Sequence, residues 1–456
     1  MINEVIKTDV AVLGAGPGGV AAAIAAARHG AKVLLIERMG FVGGNLASGL
    51  PLLAFLDSQG RTVTGGFAQE LVDRLTKMKG TYGHRVCPFH NSTTVINPMY
   101  TRICLFEMLK ENNIDLLLHC EITDTKVVNG KICSVTAIGK GTEIEVEADV
   151  FIDATGDGDV AYMAGATYEL GQKDTGVLQP PTLMFDLGGI DFDKFFDYLE
   201  AHPEELPYGS NLDHIRAGYD AKFFRESPNH VFFGLKAMIE KLRKEGKCPI
   251  DRDTVIYIRQ PIADHVTINT VRILNFNGTD VHELSRGEQE GHLQILPITK
   301  MLQDYVPGFE NCYLSSINPF IGIRETRRIV GEKMLDKDDV IAGTIPEDTI
   351  ALGSYIIDIH SGDGNKTYIK NLDGPYGISY GCTVSKDIDG LMMSGRCISV
   401  DAVSFGSTRV MPTCMAVGDG AGIAAALAVK HGVSPKDVDV KELREKLINY
   451  GAILSL

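Results

Sequence analysis

The stretch that decides the fold is residues 8–37, TDVAVLGAGPGGVAAAIAAARHGAKVLLIE. It opens with a short apolar run, Thr8–Leu13, and continues into Pro17–His29, which is rich in small helix-forming residues and is followed by the helix-stopping Gly30. A second apolar run, Lys32–Ile36, comes next. A strand, a helix and a strand within about thirty residues form a β-α-β unit, whose strands are parallel and joined by a right-handed crossover. The stretch therefore predicts a parallel sheet.

A glycine-rich loop connects the first strand to the helix. Gly14-Ala15-Gly16-Pro17-Gly18-Gly19 has the spacing G-x-G-x-x-G, in which the first glycine permits a tight turn and the second admits a pyrophosphate close to the backbone. The third glycine, Gly19, lets the helix pack closely on the strand. Glu37 ends the second strand, where a carboxylate can accept hydrogen bonds from ribose hydroxyls. These residues predict a dinucleotide site. The motif alone does not distinguish FAD from NAD, and a purely structural glycine loop is the alternative.

Composition narrows the classes of partner. The chain has 456 residues and a net charge of −15, which disfavours binding to nucleic acid; Arg324–Arg328 is one local concentration of positive charge. The nine cysteines form no C-x-x-C motif, and the first residues do not have the pattern of a signal peptide. No apolar run reaches the roughly eighteen residues of a membrane helix. We therefore expect a cytoplasmic protein with reduced thiols and no membrane or nucleic-acid partner.

Further elements follow along the chain. Three alternating segments, Glu121–Val128, Lys131–Ile138 and Thr142–Val146, are separated by turn dipeptides and predict an antiparallel meander. Helices are predicted over Phe67–Met78, Met99–Asn112, Val231–Glu245 and about Gly420–Lys430, and strands over Val150–Ile152, Val255–Arg259 and His265–Leu274.

Three more glycine turns resemble those of the glutathione-reductase-like flavoprotein superfamily. They are Phe41–Asn45, the segment Val150–Asp157 with its Ala154-Thr155-Gly156 core, and Met393–Arg396 followed by Gly418–Gly422. Over most of its length the chain resembles the FAD-dependent oxidoreductase family. The stretches that carry this resemblance most strongly are Gly322–Arg328, Tyr355–His360, Gly395–Ser399 and Gly406–Met415.

The resemblance implies non-covalent FAD and an α/β fold. It implies a Rossmann-type FAD-binding domain, with a parallel sheet and a small antiparallel meander, formed by residues 1–167 and 319–456. An α+β substrate or cap domain, residues 168–318, would be inserted between them. An acid, Asp419, would contact the ribityl chain at a helix N-terminus that faces the flavin. The residues expected to bind FAD are Gly14, Gly16, Pro17, Gly19, Glu37, Arg38, Gly43, Gly44, Asn45, Ile122, Ala154, Thr155, Gly156, Asp157, Gly395, Arg396, Asp419, Ala421, Gly422 and Ile423.

The sequence departs from the family pattern at two positions. Members often have a His shortly after the Gly395–Ser399 element, where this chain has Asp401-Ala402-Val403. Many have I-P-Y-R where this chain has Ile378-Ser379-Tyr380-Gly381. We interpret these differences as an altered substrate pocket, with loss of activity as the alternative.

Four residues are candidates for the chemistry. His360 is our first choice for an acid or base, since an imidazole titrates near neutral pH; a strand-end histidine bonded to backbone is the alternative. Arg324 and Arg409 could each bind a substrate carboxylate or could form internal salt bridges. Tyr380 could donate a proton or could be a packed aromatic. No metal site is predicted.

The predicted function is transfer of hydride or electrons between FAD and a small, anionic metabolite. Only one G-x-G-x-x-G follows a strand, so a separate electron donor or acceptor is expected. The alternatives are a non-catalytic or redox-sensing flavoprotein and a flavin-dependent RNA-modifying enzyme.

Overall fold

The computed structural model describes residues 4–206, 218–364 and 367–456. The strands are Glu4–Leu13 (β1), Val33–Glu37 (β2), Leu52–Leu53 (β3), Arg85–Cys87 (β4), Asn91–Thr94 (β5), Asp115–Leu118 (β6), Glu121–Val128 (β7), Lys131–Gly139 (β8), Thr142–Asp153 (β9), Tyr168–Leu170 (β10), Phe185–Gly188 (β11), Val231–Gly234 (β12), Val255–Arg259 (β13), Val266–Ile268 (β14), Tyr313–Ile317 (β15), Arg327–Ile329 (β16), Thr349–Gly353 (β17), Ile357–His360 (β18), Thr367–Lys370 (β19), Tyr376–Ser379 (β20) and Leu391–Met393 (β21). The α-helices are Pro17–Arg28 (α1), Gly66–Lys77 (α2), Pro98–Glu111 (α3), Asp159–Met163 (α4), Phe192–Ala201 (α5), Ala221–Glu226 (α6), Lys236–Lys244 (α7), Val281–Tyr305 (α8), Lys337–Ala342 (α9), Phe405–Thr408 (α10), Met411–His431 (α11) and Val440–Asn449 (α12).

The central sheet confirms the predicted β-α-β unit. Its strand order is β6-β2-β1-β9-β8-β7, with β21 also beside β9. Strand β1 runs parallel to β2 and to β9, and β21 runs parallel to β9. Strands β7, β8 and β9 form the predicted antiparallel meander. The chain thus has the predicted α/β fold.

The sequence predicted two separate strands, Thr142–Val146 and Val150–Ile152, where the structure has the single strand β9. It is continuous from Thr142 to Asp153 and pairs with β1 from Glu4↔Ile144 to Leu13↔Asp153. No glycine or proline interrupts TEIEVEADVFID, so one strand serves both the meander and the parallel sheet. The two motifs are therefore parts of a single sheet.

The helix near the C-terminal end begins nine residues earlier than predicted, at Met411 rather than Gly420. Two of its glycines are explained by close packing on α1, since a Cβ at Gly418 would lie 2.4 Å from the Gly18 carbonyl oxygen and one at Gly422 would lie 2.2 Å from the Ala22 oxygen. Glycine costs about 1 kcal/mol inside a helix, and packing against α1 overrides that preference here. By length and composition alone helix α11 could cross a bilayer, but 89% of its most apolar window is buried inside the protein.

A second sheet lies between these elements in the sequence. Its order is β12-β13-β14-β11-β15, and all five strands come from residues 185–317. Residues 231–234 were predicted as helix but form β12, because they pair with β13. Leu235 then adopts a left-handed conformation (φ 64°), and α7 begins after it. The predicted strand His265–Leu274 is reduced to Val266–Ile268. The domain boundaries at residues 168 and 319 stay a prediction.

Candidate functional site

The glycine loop after β1 forms one wall of a cavity. Gly14 has a φ of 105°, and a Cβ there would lie 2.5 Å from the Ala154 carbonyl oxygen, so both conformation and packing require glycine. Gly16 differs, because its φ of −70° suits any residue and an added Cβ would meet only one atom, 4.0 Å away. The protein itself gives no reason for glycine at position 16. The free space beside it belongs to the cavity, at the N-terminus of α1, where backbone N–H groups favour an anion.

Glu37 connects the end of β2 to this loop. Its carboxylate accepts hydrogen bonds from the backbone N–H groups of Ala15 and Met39, both at 2.8 Å. Each carboxylate oxygen can accept a further bond on the cavity side. Glu37 thus holds the loop in place and retains acceptor capacity for a ligand hydroxyl.

The first cavity, of about 180 Å³, extends from this loop along the carboxyl ends of the parallel strands. The predicted cofactor residues on its wall are Gly14, Gly16, Pro17, Glu37, Arg38, Gly44, Asn45, Ile122, Ala154, Thr155, Gly156, Asp157, Gly395 and Arg396. Its wall also contains residues that sequence reasoning missed, among them Gly18, Met39, Phe41, Glu121, Phe320, Ser394 and Cys414. Several of these adjoin a recognised motif and could have been included, whereas Phe320 lies in a loop without any pattern.

Gly19 and Gly43, also predicted as cofactor residues, lie behind the cavity wall. A Cβ at Gly19 would lie 1.9 Å from the Gly14 carbonyl oxygen, so this glycine serves close packing. Gly43 has a φ of 102°, and its N–H donates to the Ala15 carbonyl at 2.7 Å. Gly43 therefore joins the second glycine turn to the first.

A second, larger cavity of about 650 Å³ continues from the first. The residues common to both walls are Asn45, Ile323, Arg396, Arg409 and Met411. The cationic side chains that line the larger cavity are Lys236, Arg324, Arg396 and Arg409; the acids on its wall are Asp253 and Asp358, and His360 lies there as well. Cations therefore predominate around it.

Arg396 lies where the two cavities meet. Its Nη2 donates to Asp157 Oδ1 at 2.8 Å, and Asp157 Oδ1 also accepts from the Thr326 hydroxyl at 2.7 Å. The other terminal nitrogen, Nη1, is buried and has no hydrogen-bond partner among the described residues. The Asn45 Oδ1 atom lies on the wall that the two cavities share. It is also buried and has no hydrogen-bond partner among the described residues. Buried polar atoms are normally satisfied, and these two are available to a ligand in the cavities.

His360, Asp358 and Arg409 form a charged group on the wall of the larger cavity. His360 Nε2 lies 3.3 Å from Asp358 Oδ1, and Arg409 Nη2 lies 2.9 Å from the Asp358 carbonyl oxygen and 3.7 Å from its Oδ2. Burial alone would raise the pKa of the Asp358 carboxyl, but the adjacent His360 and the arginines hold it well below its usual range. Asp358 is therefore a carboxylate.

His360 is neutral at physiological pH. Burial lowers its pKa to about 4, and Arg324 and Arg252 act in the same direction, outweighing the attraction of Asp358. Because the Asp358 carboxylate can only accept, we assign the imidazole proton to Nε2. The remaining nitrogen, Nδ1, lies 3.4 Å from the Thr367 hydroxyl oxygen. Nδ1 is thus the atom that can accept a proton.

Arg324 differs from Arg396 and Arg409, the other arginines of this wall, in having no ion pair with any described residue. Its Nη1 donates to the Pro180 carbonyl oxygen, and its half-buried side chain lines the larger cavity. Burial, followed by the repulsion of Arg409 and Arg252, lowers the pKa of its guanidinium to about 9. Buried charges are ordinarily paired, so Arg324 is a strong candidate to hold an anion.

Tyr380 lies elsewhere, which corrects its prediction as a proton donor. Its buried hydroxyl donates to the Pro435 carbonyl oxygen at 2.6 Å, and it is on neither cavity wall. It packs in the hydrophobic core with α11 residues. The alternative of a packed aromatic is the one that the structure supports.

Asp419, Ala421, Gly422 and Ile423 also line neither cavity, because α11 starts earlier and these residues lie in its buried middle. Asp419 Oδ2 instead accepts a hydrogen bond from the Phe67 N–H at 3.0 Å. Phe67 is in the first turn of α2, whose N-cap, Gly65, has no side chain to cap it. Asp419 is therefore placed as a tertiary cap of α2, and its predicted contact with the ribityl chain stays a prediction.

Replacing Asp419 tests this assignment. We expect Asp419→Ala to lower the free energy of unfolding by about 1–3 kcal/mol, because a buried N–H loses its acceptor. Asp419→Asn, which keeps an acceptor oxygen, is the matched control and should retain most of the stability. Denaturant unfolding measures both, and cofactor content should be unchanged. An Asp419→Ala protein of normal stability that has lost its cofactor would restore the original prediction.

Comparisons with known proteins concern the family and the fold. The sequence model of a family described as FAD dependent oxidoreductase matches residues 9–447. No curated protein sequence is significantly similar. Among solved structures, p-nitrophenol 4-monooxygenase from Pseudomonas putida is 10% identical over 99% of this chain and 88% of its own, with a TM-score of 0.51. A geranylgeranyl bacteriochlorophyll reductase-like protein from Thermoplasma acidophilum is 12% identical over 98% of this chain and 85% of its own, with a TM-score of 0.46. At these identities the likeness concerns the fold alone.

Proposed function

The chain belongs to the FAD-dependent oxidoreductase family, and from that premise we propose that it transfers electrons between non-covalently bound FAD and a small, anionic metabolite held in the larger cavity. The observation that carries the proposal is Arg324, a half-buried guanidinium on the cavity wall without an ion pair among the described residues. FAD, when bound, supplies the two-electron redox chemistry.

The residues of the first cavity fit FAD. Gly16 leaves open the space in which a Cβ would stand, the N-terminus of α1 suits a pyrophosphate, and Glu37 has acceptor capacity for ribose hydroxyls. Asn45 Oδ1 and Arg396 Nη1, the unpartnered atoms where the two cavities meet, would then face the flavin end. We propose these residues as the FAD site, together with the other predicted residues that line the first cavity.

The larger cavity would bind and orient the substrate. We propose that Arg324 binds the anionic group in a bidentate manner and that Arg409, held by Asp358, contributes a second positive charge. His360 would accept a proton from the substrate at Nδ1, while the Asp358 carboxylate, 3.3 Å from Nε2, would stabilise the imidazolium that forms. The apolar residues of the same wall would exclude water from this step.

The test is anaerobic reduction of the FAD-loaded protein by a panel of small carboxylates and of neutral sugars and alcohols, followed through the visible absorption of the flavin. We expect one or more carboxylates to bleach the flavin, and Arg324→Met to raise the concentration needed by about 10- to 100-fold, since a charge-assisted pair is lost. The exposed Arg85→Met is the control and should behave as wild type. Reduction by neutral compounds alone, or an unaffected Arg324→Met protein, would show the proposal to be wrong.

The expected electron partner and the expected location are also proposals. Membership of this family does not favour a non-catalytic flavoprotein or an RNA-modifying enzyme. A separate donor or acceptor would exchange electrons with the flavin, because the sequence has one glycine loop of the dinucleotide type. All nine cysteines are free thiols, which supports a cytoplasmic location.

A further inference from the structure

One wall of the larger cavity is a face of the second sheet. Strands β12 and β13 are antiparallel, with Val231 opposite Ile258 and Phe233 opposite Ile256. All four of these side chains line the cavity. Because successive residues of a strand point to opposite faces, Phe232 and Tyr257 point the other way, where their rings stack 4.8 Å apart in the aromatic core. The sheet therefore presents a four-residue apolar patch to the cavity.

The rest of the wall around this sheet patch is largely apolar as well. The additional residues are Leu50, Pro51, Leu53, Phe89, Met184 and Ile369. An apolar wall favours burial of a ligand's apolar surface, and binding sites commonly combine such a wall with few polar anchors.

The charges of this cavity leave one positive charge unbalanced. The four cations on its wall are Lys236, Arg324, Arg396 and Arg409, and the three acids beside them are Asp253, Asp358 and, bound to Arg396, Asp157. Arg324 alone among the three arginines has no acid within ion-pair distance in the described part of the chain. The lining therefore favours one negative charge on the ligand over two.

The volume of the larger cavity limits the size of the ligand. A cavity of about 150 Å³ holds one benzene ring, so the three fused rings of a flavin need no more than roughly 450 Å³. The larger cavity has about 650 Å³. If the whole flavin ring system occupied it, space for about one further ring would remain.

We infer that the substrate is a monocarboxylate with an apolar body of about the size of one aromatic ring or a six-carbon chain. Its carboxylate binds Arg324 and its body packs on Val231, Phe233, Ile256 and Ile258. This inference rests on the proposed function, since it names the substrate class of the same site.

Binding of a homologous series to the FAD-loaded protein tests the inference without turnover. The probes are acetate, butanoate, hexanoate and benzoate, with hexanamide as the neutral analogue and succinate as the dianion, titrated against the flavin spectrum and the thermal midpoint. Each buried methylene should tighten binding by about fourfold, so hexanoate should bind roughly 200-fold more tightly than acetate. Hexanamide and succinate should bind much more weakly than hexanoate.

Phe233→Ala provides the matched variant. It should weaken hexanoate binding by about tenfold and leave acetate binding unchanged, because only the apolar body contacts the sheet. Phe223→Ala, a half-buried phenylalanine outside the cavity, is the control for folding. Acetate or succinate binding as tightly as hexanoate, or an equal loss for acetate and hexanoate in Phe233→Ala, would overturn the inference. If the probes bind with the expected order of affinities but none of them reduces the flavin, the proposed function alone would be overturned.

Discussion

Gly16→Val is expected to weaken FAD binding by roughly a hundredfold while the protein stays folded. Position 16 has an ordinary φ of −70°, and an added Cβ would meet no protein atom closer than 4.0 Å. The valine methyl groups would instead occupy the space beside the N-terminus of α1 that we assign to the pyrophosphate. Forcing extra carbons into a filled site costs about 3 kcal/mol, which corresponds to roughly a hundredfold loss of affinity.

The measurements are the FAD content of the purified protein and the dissociation constant of FAD from fluorescence. Gly374→Val is the matched control, since a Cβ there would also meet nothing within 4 Å and the position lies outside both cavities. The unfolding free energy of each apoprotein should stay within about 1 kcal/mol of wild type. Full FAD retention by Gly16→Val would show that the cofactor does not approach this residue.

His360→Gln is expected to lower turnover by about 10²- to 10⁴-fold, the usual contribution of a general base. The substrate is whichever carboxylate reduces the flavin in the anaerobic panel. The imidazole is neutral because its pKa is lowered to about 4, so the base is present throughout the neutral range. FAD content and substrate affinity should change little, because glutamine can still hydrogen-bond Asp358.

The pH profile identifies the base. For wild type, kcat/KM should be level around neutral pH and should fall about tenfold per unit once the pH drops below about 4, where His360 takes up a proton. His360→Gln should lose this acid limb, whereas the exposed His292→Gln should keep it. An unchanged acid limb in His360→Gln would assign the proton transfer to another group.

Local sequence predicted the nucleotide-binding half of the molecule well. The glycine loop and Glu37 are only about twenty residues apart, and their conformations follow from backbone properties, such as the left-handed turn at Gly14. The antiparallel meander could also be predicted from the sequence, because its turns are marked by Asn129-Gly130 and Lys140-Gly141.

Prediction failed where packing between distant segments decides the outcome. The motif around Asp419 has the composition of a helix start, but contact with α1 extends the helix back to Met411 and buries the aspartate beneath α2. Residues 231–234 appeared helical because they precede a true helix, but pairing with β13 makes them a strand. Tyr380 resembled a site residue only through its position in a family segment.

The sequence by itself determined that this chain has a β-α-β dinucleotide fold, because that feature depends on short-range backbone chemistry. Its resemblance to the FAD-dependent oxidoreductase family indicated the cofactor. Only the tertiary structure decided which side chains share the larger cavity. Asn45, Phe233, Arg324 and His360 meet there although they are widely separated in the chain. Their proximity depends on the register and packing of two sheets, and the charge state of His360 depends on burial, which no local pattern encodes.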